Sequence, residues 1–133
     1  MKPDIIIIDD EEIVLMLIKR LVVKAGLHNS PQLFSNGMDG LNYLQSQNGR
    51  KSPILIFLDI NMPGFDGWEF LELLQTFSLD FPTKVVIITS SVNQSDKVKS
   101  KTYESVIGYI EKPVTEDMMK GVAQLDGLSK YFE

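Results

Sequence analysis

The stretch of sequence that decides the fold runs from residue 54 to residue 68 and reads Ile-Leu-Ile-Phe-Leu-Asp-Ile-Asn-Met-Pro-Gly-Phe-Asp-Gly-Trp. Its first five residues are all apolar, a pattern typical of a short strand buried on both faces. The Pro-Gly pair predicts a turn. Asp66, with Glu69 three residues later, predicts a capped helix over residues 67–77. A strand, a short loop and a helix in this order indicate one unit of a parallel α/β sheet.

The same unit recurs on both sides of this stretch. Apolar runs predict further strands, and amphipathic segments predict the helices between them. The predicted strands cover residues 5–8, 85–88 and 106–110, with a more weakly marked strand at 32–35. The other predicted helices cover residues 12–25, 38–46, 95–102 and 115–125.

Five strand-helix repeats in about 130 residues favour a flavodoxin-like, doubly wound α/β fold with strand order 2-1-3-4-5. We expect one domain over residues 1–133, with its core at about 4–127. The last residues, Leu128 to Glu133, are expected to form a short tail that packs through Tyr131 and Phe132.

Composition excludes several classes of protein. No apolar run approaches the roughly 18 residues of a membrane span, so we expect no membrane insertion. The net charge of −5 opposes a broad nucleic-acid-binding face, and the absence of cysteine excludes disulfides and thiolate metal sites. The sequence therefore predicts a cytoplasmic protein that binds cations and basic protein surfaces.

Polar residues follow the predicted strands where ligands bind in such a sheet. Asp9 and Asp10 follow the first strand, Asp59 follows the third, Thr89 the fourth and Lys112 the fifth. Like charges about 4 Å apart repel by roughly 4 kcal/mol at an effective dielectric of 20, so the three carboxylates require a cation. Oxygen ligands favour Mg²⁺, which in turn indicates phosphate chemistry at a carboxylate nucleophile.

Four motifs at these strand ends together resemble the response-regulator receiver family along nearly the whole chain. They are Ile6-Ile-Ile-Asp-Asp-Glu11, Leu58-Asp-Ile-Asn-Met-Pro-Gly-Phe-Asp-Gly67, Val86-Ile-Ile-Thr-Ser90 and Gly108-Tyr-Ile-Glu-Lys-Pro113. The departures are minor: Ser90 stands where alanine or glycine is common, and the second strand is poorly marked.

The resemblance implies a role for each residue of these motifs. Asp59 would be the phosphoacceptor, and the Lys112 ammonium would bind the phosphoryl oxygen. The lysine-proline bond is usually cis in the family, and here it would be Lys112-Pro113. Thr89 would be the switch hydroxyl and Tyr109 the switch aromatic. The implied Mg²⁺ ligands are Asp10, Asp59 and the carbonyl of Asn61, with Asp9 holding a metal-bound water.

The resemblance also implies a phosphodonor, namely a histidine kinase or a histidine phosphotransfer protein. The protein would be a regulatory switch rather than an enzyme, assisting only its own phosphorylation and dephosphorylation. We expect no output domain in this chain, so the output would be protein contact, phosphate relay or phosphate drainage. For an output by protein contact, we predict a surface formed by the fourth helix, the fifth strand and the fifth helix. The fourth helix is short and polar, with Val98 as its main apolar anchor.

The first helix carries more apolar residues than one core face needs. The predicted core face is Val14, Leu17, Ile18, Leu21 and Ala25, which leaves Leu15, Met16, Val22 and Val23 as a surplus. Surplus apolar surface often marks a contact site, so we expect the phosphodonor to dock there.

Three other interpretations remain open at this point. A haloacid-dehalogenase phosphatase would have a second acid where Asn61 stands, and a flavin-binding flavodoxin would have a Ser/Thr/Gly-rich loop where Asp9 begins an acidic run. A degenerate receiver that serves only for protein interaction is the third alternative. The intact acidic, hydroxyl and lysine positions argue against it.

Overall fold

The computed structural model describes residues 2–132 and contains a five-stranded parallel sheet. Its strands are β1 (Asp4–Ile8), β2 (Gln32–Phe34), β3 (Ile54–Leu58), β4 (Thr83–Thr89) and β5 (Val106–Glu111). They lie in the order β2-β1-β3-β4-β5, as predicted. Apolar runs form these strands because each inner strand buries both faces.

Helices connect the strands and cover both faces of the sheet. They are α1 (Glu12–Lys24), α2 (Gly37–Ser46), α3 (Gly67–Leu74), α4 (Gln94–Ser100) and α5 (Glu116–Val122). All five were predicted. α3 and α5 each end three residues before their predicted ends, because backbone turns follow Leu74 and Val122. Within residues 2–132, no helix is long and apolar enough to cross a membrane.

The sheet divides the core into two layers, and β1 shows how. Its isoleucines alternate between the layers, because successive side chains of a strand point to opposite faces. Ile5 and Ile7 pack with α1 and α5, whereas Ile6 and Ile8 pack with α2 and α3. The C-terminal tail packs against the same layer as α1 and α5 through Leu128, Tyr131 and Phe132. It contains a short 3-10 helix at Ser129–Tyr131. Glu133 lies outside the described residues.

The core face of α1 differs from the predicted one. The buried residues are Leu15, Ile18, Leu21 and Val22, whereas Leu17 is 45% exposed. The prediction that Leu15 and Val22 lie off the core face is therefore wrong. Apolar residues occupy most of this helix, so its sequence leaves the rotation about the helix axis open, and packing against the sheet and α5 selects the buried stripe.

The anchor of α4 is also different from the predicted one. Val98 is 56% exposed and so anchors nothing, while the Tyr103 side chain after the helix is 5% exposed. Tyr103 stacks on Trp68 of α3, and its hydroxyl donates a hydrogen bond to Glu72 at 2.7 Å. Burial, reinforced by Glu72, raises the pKa of Tyr103 to about 12. The C-terminal end of α4 is thus held against α3 by an aromatic contact beyond the helix.

The loop between β3 and α3 brings the start of α3 close to the end of β3. A Cβ on Gly67 would lie 2.5 Å from the Ile60 Cα and 2.7 Å from the Asp59 carbonyl oxygen, so only glycine fits here without a shift of backbone. The predicted capping box is present, since Asp66 accepts from the Glu69 amide and Glu69 accepts from the Asp66 amide. These contacts fix the loop that follows Asp59.

Candidate functional site

The carboxyl ends of the strands bring together the residues that the sequence analysis selected. Asp9 follows β1, Asp59 follows β3, and Thr89 ends β4. All three are nearly inaccessible to solvent, with exposed fractions of 1%, 3% and 0%. Asp10 is exposed beside them. The result is a polar group of side chains buried at the edge of an apolar sheet, with one carboxylate open to solvent.

The carboxylates of Asp9, Asp10 and Asp59 form the acidic cluster of the site. One oxygen from each lies within 4.8 Å of the others. The pKa of Asp59 is raised to about 6, mainly by burial and further by the charge of Asp9. A hydrogen bond from the Asn61 backbone amide opposes this shift without cancelling it. The charged form of Asp59 is therefore costly in this structure and favours a cationic partner.

Lys112 supplies one positive charge to the cluster. Its Nζ lies 3.0 Å from Asp9 Oδ2 and 3.7 Å from Asp59 Oδ2. Burial alone would lower the pKa of Lys112, but the hydrogen bond to Asp9 and the charges of Asp59 and Asp9 outweigh it and raise the pKa. The peptide bond between Lys112 and Pro113 is cis, as the resemblance implied. Lys112 is thus a permanent cation that contacts two of the three carboxylates.

Thr89 is held by the residues around it rather than left free to rotate. Its Oγ1 accepts hydrogen bonds from the Asn61 side-chain amide at 3.1 Å and from the Ser91 backbone amide at 3.2 Å. The Thr89 carbonyl accepts from the Lys112 backbone amide at 2.9 Å, which ties β4 to the end of β5. Asn61 therefore contacts Asp59 through its backbone and Thr89 through its side chain.

Tyr109 lies on β5, half-buried, beside the loop that follows β4. Its hydroxyl donates to the Ser91 carbonyl at 3.2 Å, and the Ser91 hydroxyl donates to Asp96 at the start of α4 at 2.6 Å. Burial raises the pKa of Tyr109. In the described structure the predicted switch aromatic is thus hydrogen-bonded to the loop that joins the site to α4.

Sequence reasoning missed Ser91. It considered Ser90 instead, yet Ser91 contacts Thr89, Tyr109 and Asp96. Strand alternation cannot identify such a residue, because Ser91 lies in a loop beyond the end of β4. The sequence offered only a weak indication of Ser91: it is a hydroxyl residue two positions after Thr89, in the loop between β4 and α4.

The donor set fits a hard divalent cation. Three carboxylates converge, Lys112 compensates only part of their charge, and Asp10 keeps the cluster open to solvent. Oxygen ligands with access to water are the coordination that Mg²⁺ prefers. Asn61 follows Asp59 by two residues, so its carbonyl belongs to the loop that borders the cluster.

Comparison with known proteins places this site in a family. The family model described as "Response regulator receiver domain" matches residues 5–124. A protein-glutamate methylesterase/protein-glutamine glutaminase of Hahella chejuensis is 30% identical over 71% of this chain and 25% of its own length. A probable methanogenesis regulatory protein of Methanothrix harundinacea is 27% identical over 91% of this chain and 79% of its own length. The chain thus spans about a quarter of the first relative.

Solved structures agree with the sequence comparison. The crystal structure of a two-component response regulator from Cytophaga hutchinsonii superimposes with a TM-score of 0.80 at 27% sequence identity, covering 93% of this chain and 96% of that one. Proteins of this kind act in two-component signalling, where receiver domains interact with histidine kinases or phosphotransfer proteins. The chain described here belongs to the response regulator receiver domain family.

Proposed function

We propose that this protein is a phosphorylation switch that accepts a phosphoryl group on Asp59. The donor is a histidine kinase or a histidine phosphotransfer protein, and phosphorylation changes the protein-binding surface of the domain. One observation supports this most strongly: the buried carboxylate of Asp59, in the acidic cluster, lies 3.7 Å from the Lys112 ammonium. In that arrangement the Lys112 ammonium can attract an anionic substrate to the Asp59 carboxylate, which acts as the nucleophile.

The chemistry assigned to Asp59 is a phosphoryl transfer. A carboxylate oxygen of Asp59 forms a bond to phosphorus, while the bond between phosphorus and the donor imidazole nitrogen breaks and its electron pair stays with that nitrogen. The Lys112 ammonium offsets the negative charge of the incoming phosphoryl oxygens, and the Thr89 hydroxyl donates a hydrogen bond to one of them. The product is an acyl phosphate on Asp59.

Asp10, Asp59 and the carbonyl of Asn61 would hold a Mg²⁺ ion, and Asp9 would orient one of the waters bound to it. When bound, this ion supplies positive charge that neutralises the phosphoryl oxygens as they approach the carboxylates. The open side of the cluster at Asp10 supports this assignment.

Labelling with a small phosphodonor tests the proposal. Incubation with such a donor and Mg²⁺ should add the mass of one phosphoryl group, and peptide mapping should assign it to Asp59. A chelator should prevent labelling, because the acidic cluster then repels the donor. A label on another residue would contradict the proposal. No label at all would favour a degenerate receiver that acts only by protein contact.

Thr89 and Tyr109 are proposed to carry the signal from Asp59 to the surface formed by α4, β5 and α5. A new phosphoryl group offers the Thr89 hydroxyl a charge-assisted hydrogen bond, and a shift of Thr89 and its loop changes the space beside Tyr109. The Tyr109-Ser91-Asp96 hydrogen bonds supply a route to α4. Three basic residues, Lys97 and Lys99 of α4 and Lys101 directly after it, would face the output partner.

Thr89→Ala should still accept phosphate but fail to transmit the change. In amide NMR spectra, the phosphorylation-dependent shifts of residues 93–110 should be lost in this variant, while shifts next to Asp59 remain. Persistence of the remote shifts in Thr89→Ala would show that the coupling bypasses Thr89, and the role of Tyr109 would be abandoned with it.

The exposed face of α1 is proposed as the docking site for the phosphodonor. Ile13, Met16, Leu17 and Val23 line a groove on this face, with exposed fractions of 84%, 54%, 45% and 43%. Lys19, Arg20 and Lys24 border it. α1 begins two residues after Asp10, so a helix lying in the groove would be close to the acidic site. The groove suits an amphipathic helix with an apolar stripe and acidic flanks.

Leu17→Lys should slow transfer from the histidine donor at least tenfold while leaving labelling by a small phosphodonor unchanged. The reason is that a charge in the groove opposes an apolar partner without touching the acidic site. Met38→Lys is the matched control, because Met38 is an exposed apolar residue on α2, outside the groove. Equal slowing by both variants would contradict docking on α1. Leu15→Lys is unsuitable, because Leu15 is buried and its substitution would damage the core.

We also propose a regulatory rather than an enzymatic role and a cytoplasmic location. The cysteine-free sequence fits a reducing compartment.

A further inference from the structure

The direction of the hydrogen bonds around Thr89 determines which kind of ligand its hydroxyl can bind. A hydroxyl group has one proton to donate and two lone pairs that accept. In this structure Asn61 Nδ2 donates to Thr89 Oγ1 at 3.1 Å, and the Ser91 amide donates to the same oxygen at 3.2 Å. Both lone pairs are therefore engaged by donors.

The proton of the same hydroxyl remains available. Within residues 2–132, no hydrogen bond donated by the Thr89 hydroxyl is formed. The side chain is fully buried, so bulk water does not compete for either role. A hydroxyl in this arrangement can act only as a donor, and the ligand that suits it is an acceptor such as a phosphoryl oxygen.

We propose that Asn61 is a positioning residue. Its side-chain amide donates to Thr89 Oγ1 and so orients the Thr89 hydroxyl to donate its proton to the phosphoryl group on Asp59. The inference rests on the proposed function and adds a role for the side chain of Asn61, which is distinct from that of its carbonyl. Asn61 is well placed for this, since its backbone amide donates to Asp59 Oδ1 at 3.1 Å and its position relative to the nucleophile is thereby set.

The chemical type of the side chain matters. An amide can donate from Nδ2, whereas a leucine of similar size cannot, and the Thr89 hydroxyl would then be free to turn and present a lone pair to the incoming oxygen. Two oxygens that present lone pairs to each other repel. Loss of one typical net hydrogen bond corresponds to about a fivefold change in rate.

A double-mutant cycle tests the inference. Labelling rates from a small phosphodonor are compared for wild type, Asn61→Leu, Thr89→Val and the double variant, each at a Mg²⁺ concentration that titration shows to be saturating. Asn61→Leu should label about fivefold more slowly than wild type. In the Thr89→Val background the same substitution should change the rate less than twofold, because the hydroxyl it orients is gone. A purely structural effect of Asn61 would persist in that background.

Asn42→Leu is the matched control, since Asn42 is an exposed residue of α2, and its labelling rate should equal that of wild type. Asn61→Ala provides a second variant in case leucine disturbs the loop, with the same expected dependence on Thr89. Provided that the wild type is labelled, either of two results would overturn the inference. One is a loss of labelling rate that is equal with and without the Thr89 hydroxyl, and the other is no loss of rate in either Asn61 variant. Absence of label on wild type would instead overturn the proposed function, and this inference with it.

Discussion

Asp59→Asn is expected to abolish phosphorylation and, at neutral pH, to stabilise the fold. The first effect follows because an amide is not a nucleophile toward phosphorus under conditions where a carboxylate is. The second follows from the raised pKa of Asp59, about 6 when folded, against about 4 for an aspartate in an unfolded chain. Each tenfold difference in proton affinity is worth about 1.4 kcal/mol, so removing the charge should stabilise the metal-free protein by about 2–3 kcal/mol.

The pH dependence of this gain has a definite sign. Because the folded pKa lies above the unfolded one, ionised Asp59 destabilises the fold at every pH above about 6, where it is charged in both states. As the pH falls from about 6 to about 4, the folded state retains the proton and the penalty shrinks. The advantage of Asp59→Asn in urea unfolding should therefore be full at pH 7.5 and absent near pH 4.

Asp10→Asn is the matched control for Asp59→Asn. It removes one carboxylate of the same cluster, but an exposed one, and should therefore stabilise the protein less. If the two variants gained the same stability, charge repulsion alone would explain the effect. Burial of Asp59 would then contribute nothing, which contradicts the prediction. Chelator is needed throughout, because a bound cation would relieve the same repulsion.

Lys112→Met should destabilise the metal-free protein by about 3–5 kcal/mol, the usual cost of removing one partner from a buried ion pair. The Asp9 side chain is 1% exposed and lies 3.0 Å from the Lys112 ammonium. Without that ammonium, Asp9 and Asp59 would remain buried together with no protein cation between them. Urea unfolding in the presence of chelator measures the loss.

Two companion measurements identify the cause of the Lys112→Met effect. Mg²⁺ should restore part of the lost stability by supplying a cation to the same carboxylates, and Asp59→Asn in the Lys112→Met background should restore part of it by removing one charge. Lys120→Met is the matched control, because Lys120 pairs with Glu116 at 3.1 Å while remaining 55% exposed, and its change should be much smaller. A loss in Lys112→Met no greater than that control would show that the charge of Lys112 does not hold the cluster together.

The doubly wound class of sheet could be predicted from the sequence. Runs such as Ile54–Leu58 are apolar without alternation, which is typical of strands in a parallel sheet that helices cover on both faces. The strand order was then predicted from the count of five strand-helix repeats. The motifs at the strand ends then predicted which residues share an edge. The structure does bring Asp9, Asp10, Asp59 and Lys112 together there.

The rotation of α1 could not be predicted in the same way. Its sequence is apolar on more than one face, so Leu15 and Leu17 are equally plausible core residues when the helix is considered alone. Packing decides between them, and Leu15 is buried while Leu17 is exposed. The anchoring of α4 by Tyr103 was missed for a related reason: the anchor lies beyond the helix, where periodicity gives no information.

The sequence by itself thus determined the fold class, the edge of the sheet that holds the chemistry and the residue types found there, because hydrophobic periodicity and strand ends are local properties of the chain. Only the tertiary structure decided which of those side chains touch. Asn61 is 28 residues from Thr89, and Asp9 is 103 residues from Lys112, yet each pair is hydrogen-bonded. Such contacts depend on the spacing of neighbouring strands and the path of their loops, and no local pattern encodes a donor in one loop and its acceptor in another.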